Sequence, residues 1–159
     1  MLVKRTMSKN VVCVSVPGNR DKVLDLMRKE KKAVLPVVKE DTDILVGLVT
    51  RSDLINNPDE EQIAMLMTRD LITVKPGDDV VDAARKMIEN DVRRVPVVND
   101  DGELVGIITS FDLVSKALTK IEVNDVVENY MITTVPTTWE SAPLNVAFES
   151  MKQFGLKSI

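Results

Sequence analysis

Two stretches of similar sequence decide the fold: LPVVKEDTDILVGLVTRSDLI at Leu35–Ile55 and VPVVNDDGELVGIITSFDLV at Val95–Val114. Each stretch contains a short apolar run with a proline, an acidic turn, a second apolar run with a glycine, and a Thr-x-x-Asp segment. Two apolar runs joined by a short polar turn are typical of a β-hairpin. The two prolines, Pro36 and Pro96, lie 60 residues apart in the chain. This spacing indicates an internal repeat.

The similarity extends outward to Met7–Leu54 and Met67–Leu113. Each copy opens with an apolar strand, a Pro-Gly break and an amphipathic helix. In the second copy Val80, Ala84, Met87 and Ile88 fall at i, i+4, i+7 and i+8, which predicts that they share the apolar face of a helix. The predicted strands are Val11–Val16, Leu35–Val38 and Leu45–Val49 in the first copy, and Leu71–Val74, Val95–Val98 and Leu104–Ile108 in the second.

A partial third copy begins near Val127. A helix with Leu144, Ala147, Phe148 and Met151 on one face is predicted, and residues 156–159 align with the residues before Pro96. We therefore predict three regions: copies at 7–58 and 63–120 and a partial copy at 123–159. Because half a unit leaves an open strand edge and an apolar helix face, we expect a longer protein with further copies.

Composition indicates a folded chain and disfavours two kinds of partner. Of the 159 residues 44% are hydrophobic and 29% are charged, which is enough apolar surface for a core. The net charge of -4, without a basic block, argues against nucleic-acid binding. No stretch approaches the roughly 18 apolar residues of a membrane span, and no signal-peptide pattern opens the sequence. With a single cysteine, Cys13, a cytoplasmic location is expected.

The absence of histidine removes most enzyme hypotheses. Ser-His-Asp and Cys-His catalysis both need this residue. With one cysteine and no histidine, a zinc site of four Cys or His ligands is excluded as well. No Gly-rich phosphate loop is present, and the paired carboxylates Asp100 and Asp101 are more simply turn formers. We therefore expect no enzyme activity, no metal and no catalytic cofactor.

The repeated unit resembles the cystathionine-β-synthase (CBS) domain family, whose tandem pairs are called Bateman modules. The resemblance rests on V-P-V-V at Val95–Val98 and on G-h-h-T-x-x-D at Gly47–Asp53 and Gly106–Asp112, where h is hydrophobic. It implies an α/β (α+β) fold built from β-α-β-β-α units. Two such units are expected to pack sheet against sheet with pseudo-twofold symmetry, leaving two clefts between them.

Related modules bind adenine nucleotides or S-adenosylmethionine in these clefts. In such relatives the Asp binds the ribose hydroxyls, and the Thr lies close to ribose or phosphate. Apolar strand residues pack against the base, and basic residues before the proline contact phosphate. The resemblance implies these ligand-binding positions: Asp53, Asp112, Thr50, Thr109, Leu48, Ile107, Val12, Ile72, Arg93 and Arg94, together with Ala33 and Val92 beside them. The implied ligand is AMP, ADP, ATP or S-adenosylmethionine.

The Thr-x-x-Asp segments have two interpretations. A carboxylate accepts hydrogen bonds from two vicinal hydroxyls, and a helix start presents free N–H groups to an anion, which fits a ribose phosphate. The same pattern also resembles a capping box, which needs no ligand. For the first interpretation we expect Asp112 to be an exposed carboxylate whose loss leaves the fold largely intact.

The two copies differ in front of the proline. Arg93 and Arg94 precede Val95-Pro96, whereas Ala33 and Val34 hold the corresponding positions of the first copy. Because the guanidinium fork suits phosphate, the second cleft is expected to prefer a phosphorylated ligand. Adjacent arginines at a solvated strand end are the alternative. Arg51 either compensates in the first copy or faces solvent.

These patterns favour a non-enzymatic sensor that binds an adenosyl ligand and signals by conformational change. The alternative is a structural association module without a ligand. A homodimer is expected in either case, formed through the apolar faces at Leu54-Ile55 and at Val114, Ala117 and Leu118.

Overall fold

The computed structural model describes residues 1–117 and 125–154, and for Ala117 it describes the backbone. The chain divides into two compact units, Met1–Ile121 and Glu122–Ile159. The first unit contains both predicted full copies of the repeat.

The first repeat forms the predicted β-α-β-β-α order. Its elements are β1 (Val14–Val16), α1 (Arg20–Lys29), β2 (Val34–Lys39), β3 (Leu45–Thr50) and α2 (Arg51–Asn56). The strands form one sheet in the order β1-β2-β3, with β1 parallel and β3 antiparallel to β2. The predicted first strand is too long, because residues 11–13 lie outside the strand.

The second repeat follows a short helix, α3 (Ile63–Leu66). It contains α4 (Val80–Glu89), β4 (Arg94–Val98), β5 (Leu104–Thr109) and α5 (Ser110–Asp112), which continues as a π-helical turn at Leu113–Ala117. The strand predicted at Leu71–Val74 is wrong, since only Val74 pairs, in a single parallel bridge to Val97. At a distance of 60 residues, Pro76 stands where the first repeat has Val16, and proline cannot donate a backbone hydrogen bond to a sheet.

The apolar face of α4 differs in part from the prediction. Val80, Ala83 and Met87 are buried, and Ala84 is half-buried. Ile88 is 81% exposed and does not belong to the core. The buried residues follow i, i+3 and i+7, so the face that meets the core is rotated away from the position of Ile88.

Each repeat completes its core with a segment that precedes the other repeat. Val3, in a 3-10 turn at Val3–Arg5, is fully buried in the core of the second repeat, against Val74 and Met87 among others. Ile63 and Met67, from the connection between the repeats, are buried in the core of the first repeat. The two repeats therefore exchange their leading segments and depend on each other for burial of apolar surface.

Matched backbone contacts relate the two repeats. The N–H of Leu45 donates to Gly102 O at 3.0 Å, and the N–H of Leu104 donates to Asp43 O at 2.7 Å. The leading segments pair equivalently, Ser8 with Ile107 and Thr68 with Leu48. These equivalent contacts confirm the predicted α/β fold of tandem repeats with pseudo-twofold symmetry.

The second unit contains a 3-10 turn at Val127–Asn129 and the helix α6 at Leu144–Gln153. This helix covers the residues for which the sequence predicts one. Residues 156–159, aligned above with the second copy, lie outside the described residues. Among the helices that the structure describes, none combines the length and the apolar character needed to cross a bilayer.

Candidate functional site

The Thr109–Asp112 junction lies where β5 passes into α5. Thr109 is the N-cap residue of the helix, and its hydroxyl accepts a hydrogen bond from the Asp112 N–H at 3.1 Å. The Asp112 carboxylate accepts in return from the Thr109 N–H at 3.0 Å and from the Thr109 hydroxyl at 2.6 Å, both at Oδ2. This is a complete capping box. Asp112 is only 7% exposed, so the expectation of an exposed carboxylate is wrong.

A cation that the sequence reading missed completes the surroundings of Asp112. The Lys116 ammonium donates to Asp112 Oδ1 at 2.9 Å and to the carbonyl of Thr6 at 2.9 Å. Burial by itself raises the pKa of Asp112, but the hydrogen bonds from Thr109 and Lys116 outweigh it and hold this pKa below its ordinary value. The i, i+4 spacing of Asp112 and Lys116 is a signal that could have predicted the pair.

The equivalent junction of the first repeat has the same cap without the cation. The Thr50 N–H donates to Asp53 Oδ2 at 2.8 Å, and the Asp53 N–H donates to the Thr50 hydroxyl at 3.1 Å. Asn57 follows Asp53 at the spacing at which Lys116 follows Asp112, and its side chain donates to the Asp53 carbonyl at 2.9 Å. The capping interpretation is therefore confirmed in both repeats, and the two carboxylates differ in charge environment.

The two arginines lie beside the Thr109 junction. Arg94 is the register partner of Thr109 across β4 and β5, and the N–H of Ser110 donates to the carbonyl of Arg93 at 2.9 Å. Arg93 is exposed and Arg94 is half-buried. The fold thus brings both guanidinium-bearing residues to the strand ends from which α5 begins.

In the first repeat the same geometry has a different charge pattern. Ala33 is exposed, and its carbonyl accepts from the N–H of Arg51 at 2.8 Å. The Arg51 side chain donates to the carbonyl of Lys32 at 3.2 Å. Arg51 therefore lies along the strand end at which Ala33 offers no charge, and it is exposed, so both the compensation hypothesis and the solvent-facing alternative fit its position.

The apolar candidates are all half-buried. Ile107 bonds through its backbone to Ser8, and Leu48 bonds in the same way to Thr68, so each lies beside an exchanged leading segment. Val12 packs against the core of the first repeat, and Ile72 and Val92 pack against that of the second. Hydrogen bonds and strand register bring five of the predicted residues together around β4 and β5: Arg93, Arg94, Ile107, Thr109 and Asp112. Ile72 and Val92 are related to this group only by packing against the same core.

A separate cavity of about 670 Å³ lies in the first unit, and none of the predicted ligand-binding residues lines it. It is formed around Pro17 and α1, with Glu61 and Gln62 on the connection between the repeats. The thiol of Cys13 belongs to its wall, and burial, followed by the nearby charge of Asp43, raises the pKa of this thiol. The Pro-Gly break at Pro17 is the sequence feature that marks this place.

Groups of three or more Cys, Asp or Glu side chains that could hold a metal ion do not occur within residues 1–117 and 125–154. The acidic side chains described above serve as helix caps and ion-pair partners. The polar chemistry on offer at the second junction is therefore one carboxylate, one hydroxyl, two guanidinium groups and one ammonium group.

Comparison with known proteins finds relatives of similar sequence and similar fold. An uncharacterized protein of Methanocaldococcus jannaschii, MJ0188, is 29% identical over 120 residues, which are 74% of this chain and 44% of that protein. The chain thus spans less than half the length of this curated relative.

Two solved structures resemble the fold at 30% identity or slightly more. CBSX2 in complex with AMP, a protein of Arabidopsis thaliana, has a TM-score of 0.68 at 30% identity, covering 75% of this chain and 97% of that one. The CBS domain pair of protein MJ0100 in complex with 5-methylthioadenosine and S-adenosyl-L-methionine has a TM-score of 0.65 at 31% identity, covering 72% and 93%.

The family model of the CBS domain matches twice, at residues 3–60 and 61–118. Both matches begin with the leading segments that the repeats exchange, and residues 119–159 lie outside them, so the partial third copy stays a prediction. CBS pairs are regulatory modules and not catalytic domains. The tandem matches, the pseudo-twofold fold and the paired Thr-x-x-Asp caps show that this chain belongs to the CBS domain family.

Proposed function

We propose that the chain is a non-enzymatic regulatory module that binds an adenosine-containing ligand, AMP, ADP, ATP or S-adenosylmethionine, at the second repeat. The observation that carries the proposal is the placement of Asp112, Thr109, Arg93 and Arg94 at one end of β4 and β5. It is supported by what two similar structures hold, AMP in CBSX2 and two adenosyl compounds in the MJ0100 pair.

The chemistry of the junction suits a ribose phosphate. The Asp112 carboxylate has acceptor capacity for the two vicinal ribose hydroxyls once Lys116 leaves Oδ1. Arg93 and Arg94 supply planar donors for a phosphate group, and within the described residues no hydrogen bond or ion pair occupies either guanidinium group. Because the first repeat has Ala33 in place of Arg93, the second cleft is the stronger phosphate site.

Signalling follows from the shared cores. The leading segment of each repeat is buried in the other, so a ligand that favours one packing of the repeats shifts the population of the whole unit. The regulated partner, or a further domain of the same protein, receives this change. We place the module in the cytoplasm, where a single unpaired cysteine is usual.

Homodimerisation remains part of the proposal, with a smaller surface than the sequence predicts. Leu54 is fully buried inside the first repeat, so it is not available to a partner. Ile55 and Val114 are each 57% exposed and remain candidates. The side chain of Ala117 and all of Leu118 lie outside the described residues.

Calorimetric titration of the chain with AMP, adenosine and S-adenosylmethionine tests the ligand. We expect the double substitution Arg93→Ala and Arg94→Ala to weaken AMP binding about tenfold or more, since a charged hydrogen bond contributes about 1.5 to 3 kcal/mol. Adenosine binding should change far less. Arg85→Ala, a surface arginine of α4 paired with Asp82, is the matched control. Equal losses for AMP and adenosine would mean that the arginines do not contact phosphate.

A second pair of variants separates ligand binding from helix capping. Asp112→Asn and Asp53→Asn alter equivalent capping boxes, so both should lose stability, and Asp112→Asn should lose more because it also removes the charge that pairs with Lys116. Only Asp112→Asn should abolish tight AMP binding. If the parent chain binds no adenosyl ligand and still self-associates, the structural association module is the correct function.

A further inference from the structure

Lys116 connects two parts of the chain that are far apart in sequence. Its ammonium group touches Asp112 Oδ1 and the carbonyl of Thr6, each at 2.9 Å. Lys116 lies in the π-helical turn Leu113–Ala117. This geometry is rare in proteins, and where it occurs it is often found at functional sites. The first repeat has no such bridge, because Asn57 follows Asp53 at this spacing and bonds to the Asp53 backbone.

Thr6 belongs to the N-terminal segment, Met1–Ser8, which docks on the second repeat. The N–H of Val3 donates to Asp78 O at 2.9 Å, and Ser8 exchanges two backbone hydrogen bonds with Ile107, one of the proposed ligand-binding residues. The N-terminal segment is therefore bonded to the second repeat at two places near the proposed site. Thr6 bonds to Lys116, which contacts Asp112, and Ser8 bonds to the strand that carries Ile107.

The docked position of the N-terminal segment includes an unfavourable element. The hydroxyl of Thr6 is fully buried and has no hydrogen-bond partner among the described residues. An unpaired buried hydroxyl costs free energy. The corresponding residue of the other leading segment, 60 positions later, is Leu66, which packs against the first core without this cost. The bond from Lys116 to Thr6 is thus a polar anchor at the residue whose buried hydroxyl has no partner among the described residues.

We propose that Lys116 is a positioning residue that ties the Asp112 carboxylate to the N-terminal segment and releases this segment when a ribose diol takes Asp112 Oδ1. The inference rests on the proposed function, because the diol belongs to the adenosyl ligand. When the ammonium of Lys116 is displaced from Oδ1, it loses one of its two contacts. Asp112 then no longer positions Lys116, and the hydrogen bond from Lys116 to the Thr6 carbonyl is weakened. Ligand occupancy at the second repeat then loosens Met1–Ser8 and transmits the signal to the start of the chain.

Amide hydrogen exchange of Val3–Ser8 tests this coupling, with AMP and 2′-deoxy-AMP as probes. In the parent chain, saturating AMP should raise exchange in this segment about tenfold or more, the scale expected for loss of one charge-assisted anchor. Saturating 2′-deoxy-AMP lacks the vicinal diol and should leave the exchange unchanged. In Lys116→Met the segment should exchange fast without ligand and respond to neither nucleotide, while AMP binds at least as tightly as to the parent.

Lys29→Met, at the exposed end of α1, is the matched control and should behave as the parent does. Unchanged exchange within β4, in the second repeat itself, shows that Lys116→Met remains folded. A parent that binds AMP without faster exchange in Val3–Ser8 overturns the coupling alone, and so does a Lys116→Met protein that still responds to AMP. A parent that binds none of the adenosyl ligands overturns the proposed function as well.

Discussion

The signature glycine of the second repeat, Gly106, gives a sharp test of the exchanged packing. A Cβ atom added at Gly106 would lie 2.6 Å from the Met7 sulfur and 3.1 Å from the carbonyl oxygen of Ser8. The methionine side chain is flexible, but the Ser8 carbonyl is backbone that accepts from the Ile107 N–H at 2.9 Å. Gly106→Ala should therefore push the N-terminal segment away from β5.

The expected cost is that of overpacking, about 1 to 3 kcal/mol. For a folded unit of this size it corresponds to a fall in Tm of roughly 4 to 12 °C, measured by calorimetry. Gly77→Ala is the matched control, because nothing lies within 4 Å of its added Cβ and its backbone does not need a positive φ. Gly77→Ala should be neutral or stabilising by about 0.4 to 1 kcal/mol. Equal melting temperatures for the two variants would refute the close packing of Met7 on β5.

Shortening Met7 supplies the complementary test. In the Gly106→Ala background, Met7→Ala removes the atoms that the new methyl group meets, so the double variant should be more stable than the two separate losses predict. Strict additivity would mean that the two residues do not touch.

Three further outcomes are expected. Val3→Ala should destabilise the first unit by about 1 to 2 kcal/mol in urea unfolding, since Val3 is fully buried, while Val81→Ala on the exposed side of α4 changes little. The folded pKa of Asp112 is lowered, so the ionised carboxylate stabilises the folded chain at pH values above the ordinary carboxyl range, and this stabilisation is lost as the pH falls through the folded pKa. Asp112→Asn should therefore reduce the dependence of the unfolding free energy on pH in the acid range. Light scattering should report about twice 17.7 kDa, and a monomeric chain that binds nucleotide would contradict association through Ile55 and Val114.

Local patterns were sufficient to predict the order of the main elements. Alternating turns and apolar runs located β2, β3, β4 and β5, and the spacing of Thr50 to Asp53 and of Thr109 to Asp112 indicated the two capping boxes. These features depend on residues a few positions apart, which a single sequence displays directly. The predicted pseudo-twofold arrangement came from the repeat itself, because similar sequences form similar units.

Predictions that depended on the surroundings of a side chain were less accurate. Ile88 fits the helical period of α4 but faces solvent, and Leu54 was assigned to a dimer surface but fills the first core. Asp112 was expected to be exposed, although the backbone of Thr109 and the chain of Lys116 cover it. Burial depends on which other elements pack nearby, and helical or strand periodicity contains no information about distant partners.

The sequence by itself determined the repeated α/β units, their caps and the unequal charge in front of the two prolines. Only the tertiary structure decided that each leading segment completes the core of the other repeat, with Val3 in the second and Ile63 in the first. It also decided that Lys116 joins Asp112 to Thr6, a contact across 110 residues of chain. A sequence pattern shows that both leading segments are apolar, but it does not distinguish which core each segment enters. That choice depends on the path of the chain in three dimensions.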